Sequence, residues 1–265
     1  MAVVHGNGPQ VGRIILASEA AAEQTPVMPF DVCDAMSQGY IGYDLQNAIR
    51  SELLTHGIYK TVSTVLTQVM VDPYDEAFYK PSKVIGRVMS EAEAAEEEKK
   101  GNHVVAVEDG YRRIVATPKP MDIVEIDAIK ALCDAGQVVI ACGGGGIPVL
   151  QQDNHLKGAS AVIEKDTIAG QLADQLDADM LVILTGVDKV CLGFGTDHEK
   201  PLDYMSIQDA KNYMAAGEFE EGTMLPKIQA AVDYIGDSAI RKVLITKLSA
   251  EDAAIGGENG TMIGK

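Results

Sequence analysis

The chain has 265 residues, 46% of them hydrophobic and none of them tryptophan, and its formal net charge is −17. This length suits one large domain or two smaller ones, and the composition does not suggest disorder. The negative charge argues against general binding to nucleic acids or anionic membranes, because it repels polyanions over a long range.

The N-terminal stretch VVHGNGPQVG predicts the end of a strand, a glycine turn and a helix from about Gln10 to the Ala20–Glu23 region. Glycine turns that open helices are ready-made anion sites, because backbone N–H groups and the positive end of the helix dipole converge there. A full strand normally delivers such a turn, and here only Val3 and Val4 represent one. The turn is therefore either structural or separated from a segment that once preceded it.

Apolar runs of strand length then alternate with helical periodicity, which is typical of a largely parallel sheet covered by helices. The spacing predicts a helix over Tyr40–His56, ended by Gly57. The β-branched residues that follow predict one strand over Thr61–Val71.

Residues 73–118 are predicted to form a small subdomain that protrudes from the α/β core. The stretch begins with proline-containing turns and continues with an acidic helix that has Ser90 as its predicted N-cap. An Asp109–Gly110 pair between alternating segments then indicates a hairpin.

The core is predicted to resume with a helix over Glu125–Gly136 and a buried strand that runs into four glycines, Gly143–Gly146. Four glycines after a strand of parallel type indicate that the backbone approaches something closely, at the edge where open α/β sheets bind ligands. A further helix is predicted over Lys165–Leu176. Pro226 is expected in the first turn of the last helix, so that Lys227 lies at a helix N-terminus.

Several motifs of other enzyme classes are absent from the sequence. The first loop is one residue too long for G-x-G-x-x-G, and P-loop, G-x-S-x-G and zinc motifs do not occur. What remains is two glycine turns with Lys83, Lys165 and Lys227, which suits phosphoryl transfer because that chemistry depends on positioning and charge neutralisation. Asp166 is expected to hold lysines or to assist magnesium binding, and a surface ion pair with Lys165 is the alternative.

Cysteine usage predicts the cellular compartment. The four cysteines show no C-x-x-C spacing, which favours reduced thiols. The sequence has no charged-then-apolar leader and no apolar run near the ~18 residues of a membrane span. A cytoplasmic protein is therefore expected.

Five segments together resemble carbamate kinase, of the amino acid kinase fold, and they occur in the family's order across nearly the whole chain. They are HGNGPQVG (His5–Gly12), ACGGGGIPV (Ala141–Val149), AVIEKD (Ala161–Asp166), LVILTGVDKV (Leu181–Val190) and GTMLPKIQAAVDYI (Gly222–Ile235). The four-glycine block and the first turn favour carbamate kinase over glutamate, acetylglutamate and aspartate kinases.

The resemblance implies an α/β protein, an open αβα sandwich with a mainly parallel central sheet and a small protruding subdomain. It implies reversible phosphoryl transfer between ATP and carbamate with Mg²⁺, typically by a homodimer. In fermenting microbes the family usually makes ATP from ADP and carbamoyl phosphate that arises in arginine or related catabolism.

The resemblance also implies roles for individual residues. The substrate or the transferred phosphoryl group would be contacted by Gly6, Asn7, Lys83, Gly143 and Gly144. The catalytic residues would be Lys165 and Lys227, which stabilise the transferring group, and Asp166, which organises them. The nucleotide would lie near Thr185, Val187, Met224 and Lys227. Magnesium would be carried mainly by the nucleotide phosphates, without a metal site of the protein's own.

The sequence departs from the family pattern in two places. Family members begin with a strand, a Gly-Gly-Asn loop and a helix before the HGNGPQ strand, whereas this chain starts inside that second strand. After Lys83 the chain continues with VIGRVM, where the family tends to have a proline and an aromatic residue. Three interpretations stay open: a shortened form of a genuine carbamate kinase, a natural sensor or partner subunit that binds nucleotide or carbamoyl phosphate without turnover, and a remnant whose turns and lysines serve only folding.

Overall fold

The structure is a computed structural model that describes residues 1–249 and 259–265. The chain divides into two compact units, residues 1–168 and residues 169–265. Of the helices in the described part of the chain, none has the length and hydropathy needed to cross a bilayer.

The first unit contains three sheets, with strand orders β1-β8-β2, β10-β9-β3-β7 and β4-β6-β5. Its strands are β1 (Ala2–Val3), β2 (Val62–Thr64), β3 (Gln68–Val71), β4 (Lys83–Met89), β5 (His103–Val107), β6 (Gly110–Val115), β7 (Pro120–Ile123), β8 (Val138–Ile140), β9 (Ile147–Gln152) and β10 (His155–Gly158). Its helices are α1 (Gly8–Ala20), α2 (Phe30–Thr55), α3 (Glu91–Lys99), α4 (Ile126–Asp134) and the start of α5 (Lys165–Gln175).

Strand β8 is the centre of a parallel sheet, with β1 on one side and β2 on the other. Helix α2 covers this sheet with Leu45, Ile49 and Leu53, which share one helix face because they recur every four residues. These side chains pack on Val138 and Ile140, which is the burial that their helical spacing predicts.

The predicted start of this helix at Tyr40 is wrong, because α2 begins at Phe30. The added turns bury the polar side chains of Asp34, Ser37 and Gln38. Apolar periodicity, on which the prediction depended, does not detect a helix face of this kind.

The single strand predicted over Thr61–Val71 is also wrong. Its residues form β2 and β3, which belong to different sheets. Between them, the backbone N–H of Thr67 donates to Gln38 Oε1 at 2.8 Å, and the Thr67 hydroxyl accepts from the N–H of Cys142 at 3.0 Å. These side-chain hydrogen bonds lie where the chain leaves one sheet and enters the next.

The region predicted as a protruding subdomain, residues 73–118, lies in the first unit and contains the antiparallel sheet β4-β6-β5 with α3. Ser90 caps α3 in a reciprocal capping box with Glu93, as predicted for its N-cap role. Strands β5 and β6 pair across a turn at Glu108 and Asp109, with Gly110 as the first residue of β6, so the predicted hairpin is confirmed. The boundaries of the subdomain stay a prediction.

The second unit has a four-stranded sheet of order β11-β15-β16-β14 and a short β12-β13 pair. Its elements are β11 (Met180–Thr185), β12 (Cys191–Leu192), β13 (Lys200–Pro201), β14 (Tyr204–Ser206), α6 (Ile207–Ala215), α7 (Met224–Ile235), β15 (Lys242–Lys247) and β16 (Thr261–Gly264). Helix α7 has Pro226 in its first turn, as predicted, and buries Ile228 and Ile235 in the core of this unit. Parallel strand pairs occur in both units, in keeping with the predicted α/β class.

Candidate active site

The two glycine turns of the first unit lie in direct contact. The N–H of Gly144 donates to the carbonyl oxygen of His5 at 2.8 Å. A Cβ added at Gly143 would lie 2.3 Å from His5 Nε2, and one added at Gly144 would lie 2.1 Å from Asn7 Nδ2. Gly144 also has a φ of +69°. Only glycine permits this approach, because any Cβ would collide with the other turn.

Gln38 of α2 holds the second turn in place. Its side-chain N–H groups donate to the carbonyl oxygens of Thr67 at 3.1 Å and Gly143 at 3.0 Å. Its side-chain oxygen accepts from the N–H of Thr67. Gln38 is only 1% exposed, and both of its side-chain N–H groups and its side-chain oxygen have hydrogen-bond partners. It therefore fixes the position of the second turn.

Asp34 and Ser37 of the same helix hold the first turn. The side-chain amide of Asn7 donates to Asp34 Oδ1 and, at 2.8 Å, to Ser37 Oγ. Burial raises the pKa of Asp34 to about 7, and the hydrogen bond from Asn7 opposes this shift.

Asp34, Ser37 and Gln38 are functional candidates that the sequence analysis missed. They lie at i, i+3 and i+4 and therefore share one face of α2, directed at the two glycine turns. The sequence did contain a signal for them. These three polar residues lie on the same helix face as the apolar residues that follow them along α2.

Lys165 opens α5 beside the first turn. Its ammonium lies 2.9 Å from Asp166 Oδ1, and the lysine side chain is 39% exposed whereas that of the aspartate is 7% exposed. A Cβ added at Gly6 would lie 3.5 Å from Lys165 Cδ, which places the lysine stem over the turn. The buried carboxylate therefore orients an ammonium that solvent and ligands can reach.

A cavity of about 570 Å³ in the first unit gathers most of the predicted substrate and phosphoryl residues. Those that line it are Gly6, Asn7, Lys83, Gly144 and Lys165. The ammonium of Lys83 pairs with Glu164 Oε2 at 3.0 Å, next to Lys165 in the chain. Gly143 and Asp166 are buried and support residues that line the cavity.

A cavity of about 410 Å³ in the second unit gathers the predicted nucleotide residues. All four line it: Thr185, Val187, Met224 and Lys227. Thr185 ends strand β11, so this cavity lies at the carboxyl end of a parallel strand. Phe194 and Phe219 add aromatic walls that the sequence analysis did not single out.

The sequence from residue 1 to residue 247 matches the model of the amino acid kinase family. The chain belongs to the amino acid kinase family. The matched part includes the residues that line both cavities. Membership of this family confirms the predicted fold class.

Several relatives within this family match nearly the whole chain. The carbamate kinase-like protein YqeA of Escherichia coli is 53% identical over 98% of this chain and 86% of its own length. The carbamate kinase of Clostridium perfringens is 46% identical over 100% of this chain and 86% of its own length. Among solved structures, the carbamate kinase from Giardia lamblia bound to AMP-PNP has a TM-score of 0.93 at 37% identity, covering 99% of this chain and 84% of that one. The resemblance inferred from the five motifs is confirmed.

Proposed function

We propose that this protein is a carbamate kinase, an ATP-dependent phosphotransferase that moves a phosphoryl group between ATP and carbamate. In the catabolic direction, a β-phosphate oxygen of ADP bonds to the phosphorus of carbamoyl phosphate while the bond from phosphorus to the carbamate oxygen breaks. The observation that carries the proposal is the convergence of five predicted substrate and phosphoryl residues on one cavity. Relatives named as carbamate kinases over nearly the whole chain support the choice of substrate.

Lys165 is the proposed electrostatic catalyst in the first unit. The charge that spreads over the transferring phosphoryl oxygens needs a positive group held in place beforehand. The ion pair with buried Asp166 supplies that orientation at 2.9 Å. A chain with a net charge of −17 depends on such local positive groups to attract an anionic substrate at all.

The glycine turns are proposed to cradle the phosphoryl group itself. Gly6, Asn7 and Gly144 bring backbone to the cavity surface, and α1 starts there with its positive end. Lys83, from the antiparallel sheet of the first unit, is proposed to cover the carbamate end. Its pairing with Glu164 keeps the ammonium at the rim until an anion competes for it.

The cavity of the second unit is the proposed nucleotide site. Its wall contains Val187, Phe194 and Met224, which offer apolar surface to a base. Lys227, in the first turn of α7, is proposed to contact the nucleotide phosphates and to share the charge-stabilising role of Lys165.

Magnesium is proposed to arrive with the nucleotide. Among the described residues, no group of three or more His, Cys, Asp or Glu side chains is arranged to hold a metal ion. The Asp166 carboxylate, which was one option for a ligand, already accepts an ammonium hydrogen bond. When bound to the phosphates, the ion would screen their charge, and the residues of this chain that act on them are lysines and backbone N–H groups.

We further propose a cytoplasmic homodimer that works in arginine or related catabolism. The exposed face of α2 carries Val32, Met36, Tyr40 and Tyr43, which are between 42% and 68% exposed. This spacing makes one apolar stripe, the kind of surface that marks a protein interface. Free thiols at all four cysteines are in keeping with a reducing compartment. Light scattering after size-exclusion chromatography measures the oligomeric state.

The test of the proposed function is coupled ATP formation by this chain from ADP, magnesium and carbamoyl phosphate. We expect turnover with carbamoyl phosphate and far less with acetyl phosphate, which has a methyl group in place of the amino group. ADP binding without turnover would favour the sensor interpretation instead. Binding of neither ADP nor carbamoyl phosphate would favour the remnant.

A further inference from the structure

Asp34 is a buried carboxylate in contact with the first glycine turn, and none of the proposed roles uses it. The residue is 4% exposed, and its Oδ1 accepts a hydrogen bond from Asn7. The titratable neighbour that acts on it is Asp31, one turn earlier on α2, whose negative charge adds to the effect of burial. Burying a carboxylate costs free energy when no basic side chain among these neighbours pairs with it. Such a cost suggests that the carboxylate serves a function at this place.

The residue that Asp34 holds is Asn7, at the first glycine turn. Asn7 occupies the N-cap position of α1, where an asparagine oxygen ordinarily accepts from the N–H groups of the first turn. Among the described residues, Asn7 makes no such capping bond. Its amide is instead turned to α2, where one hydrogen goes to Asp34 and the other to Ser37.

Asp34 and Ser37 are not equivalent holders of this amide. The Ser37 hydroxyl donates its own hydrogen to the carbonyl oxygen of Asp34 at 2.7 Å, so it offers Asn7 a single neutral acceptor. Asp34 offers a carboxylate oxygen, a stronger acceptor for an N–H group. Loss of Asp34 would leave one buried amide hydrogen of Asn7 without a partner. The Asn7 side chain would then be held by Ser37 alone, and its orientation beside Gly144 would no longer be fixed.

We propose that Asp34 is a positioning residue that fixes the Asn7 side chain at the cavity and so keeps the first glycine turn in the arrangement that receives the phosphoryl group of the substrate. Asn7 and Gly8 line the cavity at this turn, and the Asn7 amide also lies against Gly144 of the second turn. The identity of the ligand as carbamoyl phosphate rests on the proposed function, whereas the placement of Asn7 does not.

The test compares Asp34→Ala with Asp34→Asn, whose amide oxygen still accepts a hydrogen bond. Asp44→Ala, an exposed aspartate of the same helix, is the matched control. In the ATP-forming assay, we expect Asp34→Ala to raise KM for carbamoyl phosphate about tenfold or more and KM for ADP less than about twofold. Asp34→Asn should recover most of this loss, and Asp44→Ala should stay within about threefold of the wild type. If Asp34→Ala does not fold, Asp34→Leu keeps the volume without the acceptor and should give the same split.

Calorimetric titration with inorganic phosphate separates this inference from the proposed function. Phosphate binding that weakens about tenfold in Asp34→Ala but not in Asp44→Ala supports the positioning role, even if the wild type forms no ATP. Equal KM for carbamoyl phosphate and equal phosphate affinity in wild type and Asp34→Ala would overturn it, even if the wild type is an active kinase. Equal losses for carbamoyl phosphate and ADP would also overturn it, because they would indicate general destabilisation. Failure of the wild type to bind phosphate would overturn the positioning role as stated here, whereas the proposed function stands or falls with the ATP-forming assay.

Discussion

Substitution of Gly144 by alanine is expected to disable the substrate site through Asn7. Two costs are involved, a backbone cost and a steric one. At a φ of +69°, any Cβ costs about 1–2 kcal/mol in backbone strain. In addition, the new Cβ would lie 2.1 Å from Asn7 Nδ2, roughly 1.4 Å short of an ordinary contact of ~3.5 Å.

Asn7 must therefore move by more than ~1 Å, which breaks its hydrogen bonds to Asp34 and Ser37. Each of these contributes about 1 kcal/mol net, and more if the buried donor is left unsatisfied. A displacement of this size in a substrate-positioning group costs on the order of 10²-fold in rate. We expect Gly144→Ala to lower kcat/KM for carbamoyl phosphate by about that factor in the coupled ATP assay.

Gly57 supplies the matched control for the backbone cost. Its φ is +70°, and a Cβ added there would have no described atom within 4 Å. Gly57→Ala should lower Tm by a few degrees, at about 2–4 °C per kcal/mol, and leave the kinetics unchanged. If Gly144→Ala has the kinetics of Gly57→Ala, the contact between the two glycine turns does not position the substrate and the reasoning is refuted.

Three further predictions follow from the lysines, from Asp34 and from the cap of α3. Lys165→Ala and Lys227→Ala should each lower kcat about 10²–10³-fold while changing ADP affinity much less. Lys157→Ala, at an exposed lysine, is the control. If either Lys165→Ala or Lys227→Ala leaves turnover unchanged, the lysine that it replaces takes no part in the mechanism. Because burial raises the folded-state pKa of Asp34 to about 7, above the ordinary 3.8, its contribution to stability is lost as pH rises through that range. Asp34→Asn should therefore raise Tm relative to wild type at pH 8 but not near pH 4, and a pH-independent difference in Tm contradicts this. Ser90→Ala should lower the free energy of unfolding by about 1 kcal/mol and speed amide hydrogen exchange in α3 but not in β8. If α3 exchanges at the same rate in wild type and variant, the capping box does not stabilise this helix.

Local signals in the sequence predicted the local structure well. The cap at Ser90, the Asp109–Gly110 hairpin and the placement of Pro226 in a first turn each depend on residues a few positions apart. The apolar face of α2 was equally predictable, since burial against a sheet imposes its helical period on the chain. The predicted start of α2 and the predicted single strand over Thr61–Val71 were wrong. In both places buried polar side chains stand where the apolar periodicity is interrupted.

The candidate site shows the same division. Glycine turns and lysines were recognisable from the sequence because their residue types restrict what the backbone and the charge can do at those positions. Five of the predicted residues line one cavity and four line the other. Their assigned roles stay predictions that the substitutions above would test.

The sequence by itself determined the α/β class, the two glycine turns and the family, because each is written in neighbouring residues or in segments of fixed order. Only the tertiary structure decided that the two turns touch, that Gln38 clamps Gly143 from 105 positions away, and that Asp34 accepts from Asn7. The physical reason is that a buried polar contact between distant segments follows no periodicity. The strength of such a hydrogen bond depends on the donor and the acceptor being brought together away from water. They come together only when the helix packs on the sheet.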